Sequence, residues 1–192
     1  MQDKVGIHST IRDRWSTRAF DPSRPIEPDK LSLLFEAFRW APSSGNGQPG
    51  HVIAGVNFDK CHQDIFSTLR ESNQVWAQNA PLLLITVAQM SRNDRPNRFA
   101  FHDVGLASQN LLLQAWELGL HCHLMGGFSP DDARELFGIP PDYEPVAAGA
   151  VGYIGKSDSL PEDLQIRETE TRQRKTLDEF VFTGKWNTPL SI

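Results

Sequence analysis

The chain has 192 residues, a formal net charge of −5, a pI near 5.6 and a mean hydropathy of −0.40. That length suffices for one domain with its own buried core, the acidic balance counts against a protein whose main task is holding nucleic acid, and no run reaches the roughly 18 apolar residues of a membrane span. Two cysteines, Cys61 and Cys122, lie far apart and outside any CxxC, which argues against a disulfide framework; with an N-terminus lacking an apolar h-region, this points to the cytoplasm.

From Asp29 to Trp40, the residues Leu31, Leu34, Phe35, Phe38 and Ala41 follow i, i+3, i+4 spacing with Pro28 in the first turn, which predicts an amphipathic helix ending at Pro42. His51 to Val56 is short and β-branched and reads as a strand, after which Asp59 caps a helix running to about Arg70. PLLLITVA, residues 81–88, is a continuous apolar run of strand length, expected to be covered on both faces. DVGLASQNLLLQAWEL, residues 103–118, is apolar nearly all round and stops before Gly119, so it reads as a buried central helix. HCHLMGGF, residues 121–128, reads as a strand entering a glycine turn, and Ser129 with Pro130 starts a helix through Phe137. VAAGAVGYIG, residues 146–155, is a strand of small residues, and the polar stretch from Lys156 to Thr171 reads as an exposed excursion. TLDE, residues 176–179, has capping-box spacing and predicts a last helix ending near Gly184. Helices and strands intermix without a repeat or a dividing linker, so one domain of α/β or α+β class is expected.

Arg14, Ser16 and Arg18 alternate in RWSTR, and an extended backbone puts all three on one side. Two guanidinium forks and a hydroxyl suit a phosphate; a solvated polar face is the plainer alternative. Arg172, Arg174 and Lys175 form a second basic cluster, with the same two readings. RWAPSSGNGQP, residues 39–49, gathers Ser43, Ser44, Asn46 and Gln48 with two glycines, as a ligand-facing loop or simply a structural one. Met125 to Phe128 offers backbone to a flat ligand, although a strand-to-helix turn explains the glycines equally well. His121 and His123 flank Cys122, but in a strand these two face one way while Cys122 faces the other, and no carboxylate or further histidine supports a site, so no metal is expected. No GxSxG elbow, GxGxxG fingerprint or P-loop occurs, which leaves a hydrolase, a Rossmann domain and a P-loop NTPase without support.

Taken in order, RWSTRAFDPSRPIEPDKL, FRWAPSSGNGQP, SNQVWAQNAPLLLITVA, DVGLASQNLLLQAWELGL, GIPPDYEPVAAGAVGYIGK and RKTLDEFVFTGKW resemble the nitroreductase family of FMN-dependent oxidoreductases over nearly the whole chain. The resemblance implies an α+β fold with a central mixed β-sheet flanked by helices, in an intertwined homodimer with FMN at the interface. By position it implies that Arg14 and Ser16, with Arg174 and Lys175, hold the FMN phosphate and ribityl chain, and that Arg18 lies nearer the pyrimidine edge. Trp15 and Pro42 fall among the cofactor contacts, and Ser43, Ser44 and Asn46 are supplied by the partner subunit. Asn73 is implied at the polar edge of the ring, with Gly126 and Gly127 along it. The sequence departs from the pattern at Trp76, where some relatives carry a lysine, and at QPGH, where many read QPW.

The resemblance further implies NAD(P)H as electron donor, a nitroaromatic, quinone or similar small acceptor, and a ping-pong cycle with no catalytic acid, base or nucleophile from the chain. A family variant with other flavin chemistry, such as an enal or semialdehyde reductase or a flavin-fragmenting oxidase, and a flavin-binding protein without turnover stand as the alternatives.

Overall fold

The computed structural model describes residues 6–191. In chain order the elements are α1 (Ser9–Asp13), α2 (Pro28–Arg39), β1 (Gly50–Val56), α3 (Lys60–Thr68), α4 (Glu71–Ala77), β2 (Leu82–Gln89), β3 (Ser91–Arg92), β4 (Arg95–Pro96), α5 (Ala100–Glu117), β5 (His121–Met125), α6 (Pro130–Phe137), β6 (Tyr143–Gly152) and α7 (Glu162–Thr169). Local chemistry places many of the boundaries. Pro28 occupies the first turn of α2, Asp59 Oδ1 accepts the His62 N–H at 2.7 Å to start α3, and Ser129 Oγ accepts the Asp132 N–H at 3.2 Å to start α6. Gly138, with φ +62°, closes α6 in the left-handed region.

The principal sheet has the order β1-β2-β6-β5. Every neighbouring pair in it is antiparallel, which corrects the mixed sheet expected within the chain. Strands that point the same way, β1 with β6 and β2 with β5, are each separated by an intervening strand and never share a ladder. Because β2 is central, the first seven of its eight residues, Leu82–Ala88, are all buried, and their side chains alternate between two cores. Leu82 and Leu84 join Leu34, Phe38, Leu111 and Ala115 under α2 and α5; Leu83, Ile85 and Val87 join Ile65, Trp76, Phe128 and Ala133 under α3, α4 and α6. The result is an α+β arrangement of three layers, helices on both faces of one sheet. The small residues of β6 follow from this crowding: a Cβ on Gly149 would stand 2.9 Å from both Leu124 and Leu84.

Three further expectations change. The helix α5 begins earlier than predicted and is buried on one side only, against α2 and the sheet, leaving Phe101, Gly105 and Gln109 exposed. The polar stretch after Lys156 folds into α7, anchored by the buried pair Leu160 and Leu164. The capping box of Thr176 and Glu179 forms, yet it opens only the 3₁₀ turn Leu177–Glu179. Beyond it the chain doubles back, with Val181 O accepting the Leu190 N–H at 3.0 Å and Gly184 at φ +71°, so FVF has no sheet or helix to bury it and cannot continue as a helix.

Candidate functional site

The segment RWSTR leaves α1 in extended conformation, and its two sides have different surroundings. Thr17 and the Trp15 indole N–H turn toward α7, while Arg14, Ser16 and Arg18 border an open cleft of about 690 Å³. Trp15, whose ring reaches the cleft while its N–H points to α7, completes the walls together with His123, Arg167, Glu170, Arg172 and Arg174. Arg14 Nη1 donates to Ser16 Oγ at 3.2 Å. Arg172 donates from Nη1 to the Arg14 carbonyl at 2.7 Å and from Nη2 to the Arg12 carbonyl, which joins the C-terminal basic cluster to the N-terminal one across about the whole length of the chain.

The electrostatics are one-sided. Five arginines face this cleft against Glu170 at its wall. Burial holds the Arg14 guanidinium below its ordinary pKa, and repulsion from Arg172 and Arg174 adds to the effect, so these three cations sit close enough to disfavour one another. His123 is likewise held below the ordinary histidine range, first by burial; its Nδ1 lies 3.0 Å from the Thr17 carbonyl and its ring packs against Trp76 at 4.7 Å. That geometry fits a neutral imidazole carrying its proton on Nδ1.

A second cavity of about 680 Å³ shares Arg18 and Arg167 with the first, and extends along Ser72, Asn73, Val75, Trp76 and Leu164. Here the end of β5 meets α4. Asn73 Nδ2 donates to the Gly127 carbonyl at 2.9 Å, and the Arg70 N–H reaches the same oxygen at 3.0 Å. A Cβ on Gly127 would lie 2.4 Å from Asn73 Nδ2, so this glycine is what allows the close approach, whereas a Cβ on Gly126 would meet open space. Asn73, Gly126 and Gly127, distant in sequence, are thus brought together. The Trp76 indole is buried and stacks with Phe20 at 6.1 Å, so this position presents an aromatic face and no cation.

The loop after α2 lies elsewhere. Gly45, Asn46 and Gln48 adopt φ of +54°, +52° and +46°, a left-handed sequence that asparagine and glycine tolerate best. It is held by Asp103 of α5, a side chain 3% exposed whose Oδ2 accepts the Ser44 N–H at 2.9 Å, while Oδ1 pairs with His102 Nδ1 at 2.9 Å. Arg92 Nη1 also donates to the Gly45 carbonyl at 3.2 Å. Pro42 and Ser43 line a separate hollow of about 500 Å³ over Asp103 and Ala107, and Ser44 and Asn46 are exposed. No residue of this loop lines the arginine cleft of its own chain.

Of the two basic positions expected near the C-terminus, Arg174 lines the cleft and Lys175 does not. The structure adds Arg167, Arg172, Glu168 and His123, none of which sequence reasoning assigned to the site. Arg167 and Glu168 were missed because α7 was; Pro161, the acidic first turn Glu162–Asp163 and the Leu160 and Leu164 pair are the helix-start signal that reveals it. Among the described residues no cluster of three histidine, cysteine or acidic side chains could hold a metal ion, and no helix is long and apolar enough to cross a membrane. Cys122, between the two histidines, faces the core, where burial pushes its thiol up to about 12.

A model of the Nitroreductase family matches residues 11–57 and 56–153. An uncharacterized 15.4 kDa protein of Mycolicibacterium smegmatis is 30% identical over 144 residues, covering 75% of this chain and 97% of the relative. A Methanothermobacter thermautotrophicus protein provisionally named an NADH dehydrogenase/NAD(P)H nitroreductase is 27% identical over 156 residues, 78% of each chain. A crystal structure described as an oxidoreductase containing FMN superposes with a TM-score of 0.91 at 31% identity, over 97% of this chain and 96% of that one.

Proposed function

The chain belongs to the nitroreductase family, and from that membership we propose that it is an FMN-dependent oxidoreductase using NAD(P)H to reduce a small electron acceptor of the nitroaromatic or quinone type. The observation that carries this reading is the Arg14, Arg172 and Arg174 cluster. Three guanidiniums that repel one another, with no carboxylate paired to any of them among the described residues, suit a dianionic phosphate, whose oxygens accept the paired N–H donors a guanidinium presents. The donor set therefore fits the phosphate end of FMN, and the cavity leading past Arg18 to Asn73 and the Gly126–Gly127 turn fits a flat, polar-edged ring system.

In this assignment Arg14, Ser16, Arg172 and Arg174 hold the phosphate and ribityl chain. Arg18, at the junction of the two cavities, supplies positive charge toward the pyrimidine edge, where Trp76 stands in place of the lysine some relatives carry. Asn73 presents its amide carbonyl to the ring edge while its NH₂ stays tied to Gly127. Trp15 forms part of the cleft wall, held by its indole N–H on Glu168 with its ring 6.0 Å from the Arg172 guanidinium. Lys175 is dropped from the phosphate site. Bound FMN supplies the two-electron chemistry, passing electrons from a nicotinamide to the acceptor, and no side chain of the protein is assigned as acid, base or nucleophile. The protein's part is to hold the cofactor and to place fixed positive charge where negative charge develops.

Pro42, Ser43, Ser44 and Asn46 are assigned to the flavin of a second subunit, because all four lie off their own cleft and all but the half-buried Ser43 are exposed. A homodimer with the cofactor at its interface follows from this, and two free cysteines suit a cytoplasmic setting. The test is the visible spectrum of the purified protein under anaerobic conditions. A bound yellow flavin that bleaches with NADH or NADPH and recovers on adding a nitroaromatic or quinone is the expected result; a colourless protein that takes up no added FMN would overturn the reading.

A further inference from the structure

The arginine-bearing strand is gripped from behind by a single carboxylate. Glu168 of α7 accepts the Thr17 hydroxyl at 2.7 Å and the Trp15 indole N–H at 3.3 Å on Oε2, and the Arg18 backbone N–H at 2.9 Å on Oε1. The Arg18 guanidinium lies 3.6 Å from the same Oε1, and the Glu168 side chain is only 8% exposed. Among the described residues it is the one carboxylate ion-paired with any of the five arginines that face the cleft. A carboxylate withdrawn from water is costly unless donors surround it, and here they come from three positions of one strand.

We propose that Glu168 is a positioning residue for the cofactor site: its carboxylate fixes the two-sided orientation of RWSTR and holds the Arg18 guanidinium at the junction of the two cavities. This rests on the FMN assignment above for its purpose, while the geometry stands without it. Anchoring Thr17 and the Trp15 indole N–H on one side of an extended segment leaves Arg14, Ser16 and Arg18 facing the cleft where the ligand is to bind, with the Trp15 ring at its wall. The carboxylate also offsets one positive charge in a group of like charges. Without it, Arg18 is repelled by Arg14 and Arg167 and swings toward solvent, and three donors lose their acceptor.

The test compares wild type, Glu168→Ala, Glu168→Gln and an Arg14→Ala control. FMN dissociation constants are read from flavin fluorescence, midpoint potentials of the bound flavin from dye-equilibrated titration, and folding from circular dichroism. Glu168→Ala is expected to weaken FMN binding about tenfold or more, since it releases donors from a charged acceptor. Glu168→Gln keeps one acceptor oxygen but loses the charge; it is expected to bind FMN more nearly as wild type does and to shift the midpoint potential to more positive values, because the Arg18 charge is no longer offset. A merely structural brace would not produce that shift. Should Glu168→Ala fail to fold, the Gln variant alone decides the matter. Wild-type affinity and potential in the folded variants overturn the proposal. If Arg14→Ala also binds FMN as wild type does, the cofactor assignment is at fault as well, whereas loss confined to Arg14→Ala refutes the role of Glu168 alone.

Discussion

Arg14, Arg174 and Lys175 all read as phosphate ligands in the sequence, but their surroundings differ. Arg14 is partly buried and repelled by two other guanidiniums, Arg174 lines the cleft, and Lys175 is exposed and outside it. Arg14→Ala and Arg174→Ala are therefore each expected to weaken FMN binding about tenfold to a hundredfold, the equivalent of one charge-assisted hydrogen bond of roughly 1.5 to 3 kcal/mol. Lys175→Ala should leave the dissociation constant within about twofold, because its charge lies outside the cleft and acts only through screening solvent, whereas Arg174, also exposed, lines the cleft. Titrating the three apoproteins with FMN at fixed ionic strength checks the order. The alternation in RWSTR identified which residues share a side, because the period of an extended chain is local. It did not identify Arg172 as the guanidinium that ties the two basic clusters together, since that contact bridges residues 158 apart.

At the scale of elements, the helices with strong end signals read correctly. Pro28, Asp59 and Ser129 each place a boundary because a cap or a missing N–H acts within one turn. The loop following α2 was recognisable by composition, but its support was not, because Asp103 belongs to a helix distant in sequence. Asp103 is buried and accepts the Ser44 N–H, so Asp103→Ala should leave that donor unpaired and free the loop. The expected cost is about 1 to 3 kcal/mol of stability, with faster amide exchange confined to the segment from Ser43 to Gln48. Denaturant unfolding and hydrogen exchange read the two effects separately; protection unchanged at Ser44 would show that Arg92 and the turn itself suffice. The failure at the C-terminus has the same origin. A capping box organises its own turn, yet a helix that short persists only with a surface to pack on.

At the scale of the whole molecule, apolar surface is left over in an uneven way. Phe101 and Phe99 are exposed beside the one-sided α5, and the tail beyond Arg174 carries Leu177, Phe180 at 55% and Trp186 at 83% exposure. Side chains of that size on an acidic, otherwise polar chain mark a surface meant to be covered. A second copy is the occupant that the proposed cross-subunit loop calls for. Phe180→Asp combined with Trp186→Asp is expected to convert the proposed dimer into a monomer by sedimentation or light scattering, with loss of bound FMN, since under that proposal each site would lack the loop of a second copy. A variant that stays dimeric and yellow would place the interface elsewhere.

The sequence by itself determined the class of fold, the central strand and the capped helices, because periodicity, capping and turn chemistry act over a few neighbouring residues; the family was legible through the resemblance of its ordered motifs. Only the tertiary structure decided that the sheet is antiparallel within the chain, that α7 exists as the platform for Arg167 and Glu168, that Arg172 faces the cleft and Lys175 does not, and that the serine-rich loop lies off the cleft of its own chain. Those outcomes depend on which distant segments share a core and which charges are left facing one another, and such pairings are set by packing and burial rather than by any local pattern.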